Sequence, residues 1–277
     1  MRFKKAYVEI TNVCNLSCAF CPGTKREKMM MNASQFEAVC KKLHPHTEYI
    51  YLHIMGEPLC HPELPLFLDI AKSNGYKVII TTNGTLLDKK GDILLSSPAV
   101  KKVNISLHSF EASIQGQTLD KYINGCILFA KKAEKNKIVS LRLWNSGGMD
   151  KKNEEIKKMI AEVFSEPWVE SRNSVCIGKN IFIEYGDKFD WPDLSNGEER
   201  ENVFCYGLRD QIGILSNGTV VPCCLDKDGD IALGNIFTEN IEDILEKPRS
   251  KAIYNGFSSR KAVEELCRKC GYSKRFG

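Results

Sequence analysis

The chain has 277 residues, of which 43% are hydrophobic and 27% charged, enough for one large soluble domain with or without a small addition. Its net charge of +4 is spread without a long Lys/Arg run, which argues against a nucleic-acid surface. No apolar run reaches the ~18–20 residues that span a bilayer, and Glu9, Thr11 and Asn12 exclude a signal peptide. We therefore expect a protein without a membrane or nucleic-acid partner. We also expect it to lie in the cytoplasm, where thiols stay reduced.

Residues 4–145 alternate between short β-like runs and helical segments. A helix is predicted over Ser34–Leu43, because Ser34 and Glu37 have capping-box spacing and apolar residues recur at helical intervals. The other predicted helices are Glu63–Ser73, Asp88–Leu95, Thr118–Asn136 and Asn153–Phe164. The predicted strands are Lys5–Ile10, Tyr49–Ile54, Tyr76–Thr82, Lys101–His108, Ile138–Trp144 and Val175–Ile183.

Repeated strand–helix units predict an α/β fold, with a parallel sheet, outer helices and ligands at the carboxyl ends of the strands. Six units would make residues 1–186 a partial (β/α)6 barrel. The polar stretch 187–202 is predicted to be a linker, and 203–277 a smaller cysteine-rich domain. In that domain Asn217-Gly218 predicts a hairpin turn, and Ile241–Leu245 a helix.

Twelve cysteines in a reducing compartment indicate metal or redox chemistry rather than a disulfide framework. Three of them, Cys14, Cys18 and Cys21, lie in one loop after the first strand. Thiolates are the standard ligands of iron–sulfur clusters, and three would leave one iron of a four-iron cube open. From spacing alone, a zinc ion with His53 or His61 as fourth ligand is the alternative.

The Cys-x-x-x-Cys-x-aromatic-Cys loop after a first barrel strand resembles the signature of the radical S-adenosylmethionine (radical SAM) superfamily. The resemblance covers about residues 5 to 185. It implies a [4Fe–4S] cluster on Cys14, Cys18 and Cys21, with S-adenosyl-L-methionine (AdoMet) as cofactor. Reductive cleavage of AdoMet would give a 5′-deoxyadenosyl radical, which removes a hydrogen atom from the substrate.

The same resemblance implies cofactor contacts at the ends of later strands. Gly56 and Glu57 would bind the AdoMet amino group, Ser106 would face its ribose or carboxylate, and Phe20 would lie beside the adenine. Asn83 belongs to a Thr-Asn-Gly sequence familiar at the third strand. The alternatives are a solvated loop acid for Glu57, a simple turn at Asn83, a satisfied interior hydroxyl for Ser106 and plain packing for Phe20.

Arg142 shares one face of its predicted strand with Ser140 and Trp144. If that face points into the barrel, Arg142 needs an anion. The AdoMet carboxylate is one candidate, and a structural salt bridge is the other.

A second group of cysteines follows residue 202. On spacing alone, four of them could complete a closed zinc or iron–sulfur site, namely Cys205, Cys223, Cys267 and Cys270. The segment from about 203 to 271 resembles the twitch domain, a shortened SPASM domain, which implies that these four hold a second [4Fe–4S] cluster. Because seven residues follow Cys270, the longer SPASM form is not expected, and the Gly218 spacing selects Cys223 over Cys224.

A closed second cluster accepts electrons well and binds substrate poorly, so net oxidation of the substrate is expected. The leading hypothesis is oxidation of a small-molecule hydroxyl carbon, as in sugars or aminocyclitols. A maturase that oxidises, crosslinks or epimerises a ribosomally made peptide is the alternative, and a non-catalytic zinc protein is a third. Flavodoxin or ferredoxin is the expected electron donor, and no general base stands out.

Overall fold

The computed structural model describes residues 1–113, 118–165, 167–171, 173–195 and 199–276. The strands are β1 (Lys5–Val8), β2 (Tyr49–Tyr51), β3 (Lys77–Thr82), β4 (Val100–Ser106), β5 (Ile138–Ser146), β6 (Val169–Ser171), β7 (Ser174–Gly178), β8 (Ile181–Asp187), β9 (Gln211–Ile214), β10 (Thr219–Val221) and β11 (Gly234–Asn235). The helices are α1 (Ala33–Leu43), α2 (Leu64–Ser73), α3 (Leu87–Ser96), α4 (Ser109–Ser113), α5 (Leu119–Ala133), α6 (Asn153–Val163), α7 (Ile241–Glu246), α8 (Pro248–Ser258) and α9 (Glu265–Arg268).

Six neighbouring strands run parallel, in the order β1-β2-β3-β4-β5-β8. Alternate side chains of β1, Ala6 and Val8, lie in the core between the sheet and its helices. There Phe36 of α1 and Phe67 of α2 stack with ring centroids 4.5 Å apart. The parallel order and the outer helices confirm the predicted partial (β/α)6 barrel. None of the described helices combines the length and the apolar composition needed to cross a membrane.

Helix α1 is capped by Asn32 rather than by the predicted Ser34. The Asn32 side chain accepts a hydrogen bond from Gln35 N at 2.9 Å, and the Gln35 side chain accepts one from Asn32 N at 2.9 Å. The predicted capping box of Ser34 and Glu37 is therefore wrong. Both pairs have the same spacing, but Asn32 is the residue with extended backbone just before the first turn.

The sixth parallel strand is β8, and the predicted strand Val175–Ile183 is wrong because it spans the β7–β8 hairpin. Only Lys179 and Asn180 separate the two strands, so their apolar residues resemble one continuous run in sequence. Asn180 has a φ of 67°, a conformation that Asn tolerates well and that lets the chain reverse there.

The C-terminal part extends the same sheet at its β1 edge. Strand β9 runs parallel to β1, and β10 returns antiparallel to β9 through the predicted Asn217-Gly218 turn, where Gly218 has a φ of 84°. Helix α7 confirms the helix predicted at Ile241–Leu245. The division into 1–186, 187–202 and 203–277 stays a prediction, and linker residues 196–198 lie outside the described ones.

Candidate active site

The loop that follows β1 presents three thiols near the carboxyl ends of the strands. Cys14 and Cys21 are exposed, Cys18 is half-buried, and none of the twelve cysteines of the chain forms a disulfide. Cys14 Sγ accepts a hydrogen bond from Leu16 N at 3.4 Å, and Cys21 N donates to Cys18 O at 2.9 Å. The loop is therefore a folded turn whose three thiols form no disulfide.

The loop after β2 packs directly against the chain that leads into Cys14. Gly56 has a φ of 76°, and a Cβ built on it would lie 2.4 Å from Thr11 O. Glu57 N donates to Val13 O at 2.9 Å. This close approach needs a residue without a side chain, and so it explains the glycine in physical terms.

Glu57 is buried, and its carboxylate joins two backbone segments beside the cysteine loop. One oxygen accepts from Leu59 N at 3.0 Å and the other from Asn83 N at 2.7 Å. Burial raises the pKa of Glu57 to about 7, against the opposing effect of the Asn83 and Leu59 amides. The alternative of a solvated loop acid at Glu57 is therefore wrong.

Asn83 is more than a turn residue. Its Nδ2 donates to Asn15 Oδ1 at 2.9 Å and lies 3.9 Å from Cys14 Sγ. Its Oδ1 accepts from Thr85 N at 3.0 Å. The amide therefore reaches from the end of β3 to the first thiol of the loop.

A large cavity of about 820 Å³ opens between the barrel interior and the C-terminal part. Three predicted site residues line it, namely Phe20, Ser106 and Arg142. Phe20 is 38% exposed, and its ring centroid lies 5.0 Å from that of His108. Other polar and aromatic walls come from Lys5, Tyr7, Tyr51, His53, Trp144 and Cys224. Gly56, Glu57 and Asn83 lie instead at the cysteine loop.

Arg142 forms a structural salt bridge, which is one of the two predicted alternatives. Its Nε donates to Glu184 Oε2 at 3.1 Å, and its guanidinium lies 4.4 Å from the centroid of the Trp144 ring. Glu184 also accepts from Lys102 Nζ at 2.7 Å and from Ser140 Oγ at 2.7 Å. Burial alone raises the pKa of Glu184, yet these partners hold it below its usual value.

The four remaining predicted ligands line a second cavity, namely Cys205, Cys223, Cys267 and Cys270. Burial raises the pKa of Cys223 and Cys267 well above the usual value, and the neighbouring thiols raise it further. Burial likewise raises the pKa of Cys205 to about 11. Buried thiols of this kind become thiolates when a metal binds them, so the donor set fits a closed iron–sulfur site.

Cys223 and Cys224 are consecutive, but they line different cavities. Cys223 faces the second cavity with the other three thiols, whereas Cys224 faces the large one. Cys224 packs against a small apolar cluster that contains Tyr7 of β1. This agrees with the expectation that Cys224 is a neighbour of the cluster ligands.

His61, one of the two histidines considered as a fourth zinc ligand, is engaged elsewhere. His61 Nε2 lies 2.9 Å from Met31 O, and its Nδ1 accepts from Glu63 N at 3.1 Å, so both ring nitrogens are used. Over the described ranges, no three His, Cys, Asp or Glu side chains converge on a point that one metal ion could occupy.

Two features of the site escaped the sequence analysis. Glu9 had been noted only as a polar interruption, yet it is fully buried and pairs with Arg26 at 2.7 Å, just after the cysteine loop. Lys5 faces the large cavity from β1. A lone charged residue within a buried strand is the sequence signal that points to such roles.

Comparison with known families gives two matches. The model of the Radical SAM superfamily matches residues 8–163, more than half of the chain. The model of an iron–sulfur cluster-binding domain, SPASM, matches residues 205–271. The two matches contain the first and the second group of cysteines, respectively.

Two curated relatives illustrate the range of similar proteins. The antilisterial bacteriocin subtilosin biosynthesis protein AlbA of Bacillus subtilis (strain 168) is 26% identical over 299 residues, covering 97% of this chain and 65% of AlbA. Fe-coproporphyrin III synthase of Methanosarcina barkeri (strain Fusaro / DSM 804) is 24% identical over 204 residues, covering 70% of this chain and 48% of that protein. The chain thus spans less than two thirds of the length of either relative.

Solved structures share the fold. BtrN in complex with AdoMet and 2-DOIA gives a TM-score of 0.65 at 18% identity, covering 98% of this chain and 93% of BtrN. Streptococcus suis SuiB gives 0.65 at 16% identity, covering 98% of this chain and 71% of SuiB. The protein anSMEcpe with bound AdoMet gives 0.64 at 13% identity, covering 97% of this chain and 88% of that chain. At these identities the likeness concerns the fold alone.

Proposed function

Since the chain belongs to the radical SAM superfamily and carries a SPASM-type domain, we propose that it oxidises a hydroxyl-bearing carbon of a small molecule such as a sugar or aminocyclitol. The protein is an enzyme, and its cofactors are [4Fe–4S] clusters and AdoMet. When bound, the reduced cluster and AdoMet supply a 5′-deoxyadenosyl radical that takes a hydrogen atom from the substrate. A non-catalytic zinc protein is no longer a candidate.

Cys14, Cys18 and Cys21 would hold the first cluster, because their three thiols lie on one turn at the carboxyl end of β1 and none of them forms a disulfide. Three ligands leave a position open for the cofactor. The main-chain N–H of Asn83 donates to Glu57, and the Asn83 side chain contacts the Cys14 side chain. Asn83 would thereby orient the cysteine loop.

The remaining AdoMet contacts are assigned by position. Phe20 would lie beside the adenine, and Ser106 would face the ribose or carboxylate from the cavity wall. Gly56 would leave the main chain accessible to the amino group, and Glu57 would hold that main chain in place. Arg142, held by Glu184, would act from the substrate side of the same cavity.

The observation that carries the oxidative proposal is the split between Cys223 and Cys224. The second cluster would be held by the four buried thiols, and it would lie close to the large cavity, because Cys223 lines the one cavity and the next residue, Cys224, lines the other. A cluster held by these thiols would be placed to accept the second electron that the oxidation releases. The substrate would lose one hydrogen atom to the radical, one electron to this acceptor and the hydroxyl proton to solvent, which leaves a carbonyl.

A peptide substrate is the second candidate. The similarity to AlbA, a bacteriocin biosynthesis protein, covers 97% of the chain, and SuiB has been solved bound to a precursor peptide, SuiA. The C-terminal part adds aromatic rings to the cavity wall, which would suit peptide side chains, namely Trp191, Tyr206, Tyr272 and Phe276. On such a peptide, the enzyme would oxidise, crosslink or epimerise a residue.

We further propose that a flavodoxin or ferredoxin supplies the electron for the first cluster. Cys14 and Cys21 are exposed, so a donor can approach the loop from solvent. The enzyme would work in the cytoplasm, where such donors and reduced thiols coexist.

The cluster assignment is tested by anaerobic reconstitution and by counts of iron and sulfide. Wild type should carry roughly eight irons, and C14A/C18A/C21A about four, since each cubane holds four. C176A is the control, because Cys176 lies on β7, outside both groups of predicted ligands, and its Sγ donates to Gly178 O at 3.3 Å. Four irons retained by both wild type and the triple variant would refute the open first cluster.

The substrate class is tested by 5′-deoxyadenosine formation with dithionite and AdoMet. Aminocyclitols and sugars form one panel, and short peptides the other. A small molecule that stimulates 5′-deoxyadenosine and loses two hydrogens supports the proposal. Stimulation by peptides alone would replace it with the second candidate.

A further inference from the structure

Lys5 is an ammonium group in the large cavity without an anionic partner. Its Nζ lies 5.4 Å from the centroids of both the Tyr7 and the Tyr51 rings. Within the described chain it makes no hydrogen bond or ion pair with an acceptor. The preceding residue differs, because the Lys4 Nζ pairs with Asp210 at 2.7 Å. Asp210, the cavity's own acid, is therefore already neutralised.

Positive groups converge around Lys5. Burial, together with the charges of Arg142 and Lys5, lowers the pKa of His53 to about 3, so the imidazole is neutral. Burial lowers the pKa of Lys5 as well, and Arg142 adds to that effect. Glu184, the carboxylate that pairs with Arg142, already has three donors at 2.7 to 3.1 Å.

Leaving an ammonium half-buried without an anion costs free energy that two ring faces offset only in part. Arg142 adds to the excess, because within the described chain only its Nε donates a hydrogen bond, which leaves its terminal amino groups available to the cavity. Lys5 Nζ has no carboxylate partner among the described residues, and Arg142 shares Glu184 with Lys102, so the charges that face the cavity are not balanced. A bound anion would balance them.

We propose that Lys5 and Arg142 form a subsite for an anionic group of the substrate, a carboxylate or a phosphate, held over Tyr7 and Tyr51. The inference rests on the proposed function and narrows its substrate class to hydroxyl compounds that carry such a group. The same chemistry could come from the AdoMet carboxylate, so the test separates the two sources.

Calorimetric titration of reconstituted enzyme, saturated with AdoMet, uses D-glucuronate, inorganic phosphate and neutral D-glucose as probes. The anions should bind, and K5M should weaken them about tenfold or more, as for loss of a partly buried charge partner. K5R should retain binding. K101M is the matched control, because Lys101 is an exposed lysine on β4. Equal binding of glucose and glucuronate, or no effect of K5M, overturns the inference.

AdoMet affinity is measured in the same variants. A loss of AdoMet affinity in K5M with unchanged anion binding would place Lys5 at the cofactor carboxylate and would also overturn the inference. These titrations need no turnover, so an enzyme that forms 5′-deoxyadenosine without binding anions refutes the subsite alone. Anion binding without 5′-deoxyadenosine formation would refute only the proposed reaction.

A measurement on wild type guards against misfolding of K5M. Acetylation of lysines by N-hydroxysuccinimide acetate is quantified by peptide mass spectrometry. Glucuronate should slow modification of Lys5 several-fold and leave Lys101 unchanged. Equal rates at Lys5 with and without glucuronate count against the subsite.

Discussion

The Glu9 carboxylate and the Arg26 guanidinium meet at 2.7 Å in an ion pair whose carboxylate is fully buried. The other Glu9 oxygen accepts from Ser216 N at 3.1 Å and from Ser216 Oγ at 2.9 Å. Arg26 Nε donates to Lys227 O at 2.8 Å. The pair thus ties the end of β1, the chain after Cys21 and the C-terminal hairpin together, so the cysteine loop is anchored on both sides.

Replacing Glu9 by Gln should destabilise the fold by about 3 kcal/mol, because it leaves the largely buried Arg26 without its counter-charge. Denaturant unfolding measures the change. Glu37 offers a matched control, since it pairs with Lys41 at 2.8 Å on an exposed helix face. E37Q should cost less than ~0.5 kcal/mol. Equal losses in the free energy of unfolding would show that the buried ion pair stabilises the fold no more than the exposed one.

Gly56→Ala should disturb the cysteine loop. A Cβ there would lie 2.4 Å from Thr11 O, in addition to the strain of a φ of 76°. Gly147 has nearly the same φ, 75°, with nothing within 4 Å of a Cβ, so G147A isolates the backbone strain of roughly 1–2 kcal/mol. We expect G56A to lose more stability than G147A, and also iron from the first cluster. Comparable unfolding energies and iron contents would contradict this.

Substitutions at the two consecutive cysteines should separate ligand from neighbour. C223S should lower the iron content by about four, the content of one cubane, as should C267S. C224S should keep its iron, because Cys224 faces the large cavity instead. Iron analysis and electron paramagnetic resonance of the reduced protein distinguish loss of the second cluster from its retention. Iron loss in C224S equal to that in C223S would exclude the assignment.

His53 should make the enzyme sensitive to acid. Its pKa in the folded state is lowered to about 3 by burial and by Arg142 and Lys5, below the ordinary 6.5. The unfolded chain therefore binds the proton first, and stability is lost as the pH falls from 6.5 towards 3. Between those limits, wild type should lose about 1.4 kcal/mol per pH unit relative to H53Q. Parallel stability curves for the two proteins would show that His53 titrates normally.

Local chemistry made part of this structure predictable. The three-cysteine loop follows β1 as expected, and Asn217-Gly218 lies in the hairpin turn, where Gly218 adopts a φ of 84° that suits glycine. The strand–helix alternation likewise predicted the parallel sheet. The spacing from Gly218 favoured Cys223 over Cys224 as a cluster ligand, and the two side chains face different cavities.

Long-range pairing was not predictable in this way. Glu9 and Ser216 are far apart in sequence, and no local pattern relates them. The same holds for Lys5, because its role depends on which aromatic rings and charged side chains the barrel places beside it. The β7–β8 hairpin was missed for a different reason, since Asn180 can adopt a reversing turn or an extended conformation and only the sheet decides between them.

The parallel pairing of β9 with β1 has a practical consequence for any attempt to divide the chain. A fragment ending at residue 186 would keep the helices of the barrel but uncover the main-chain N–H and C=O groups of Lys5–Val8 that face Gln211–Ile214. An uncovered strand of this kind is a template for pairing with another molecule. Such a fragment should self-associate into oligomers or aggregates, so the C-terminal part also serves as the protective cover of the first strand.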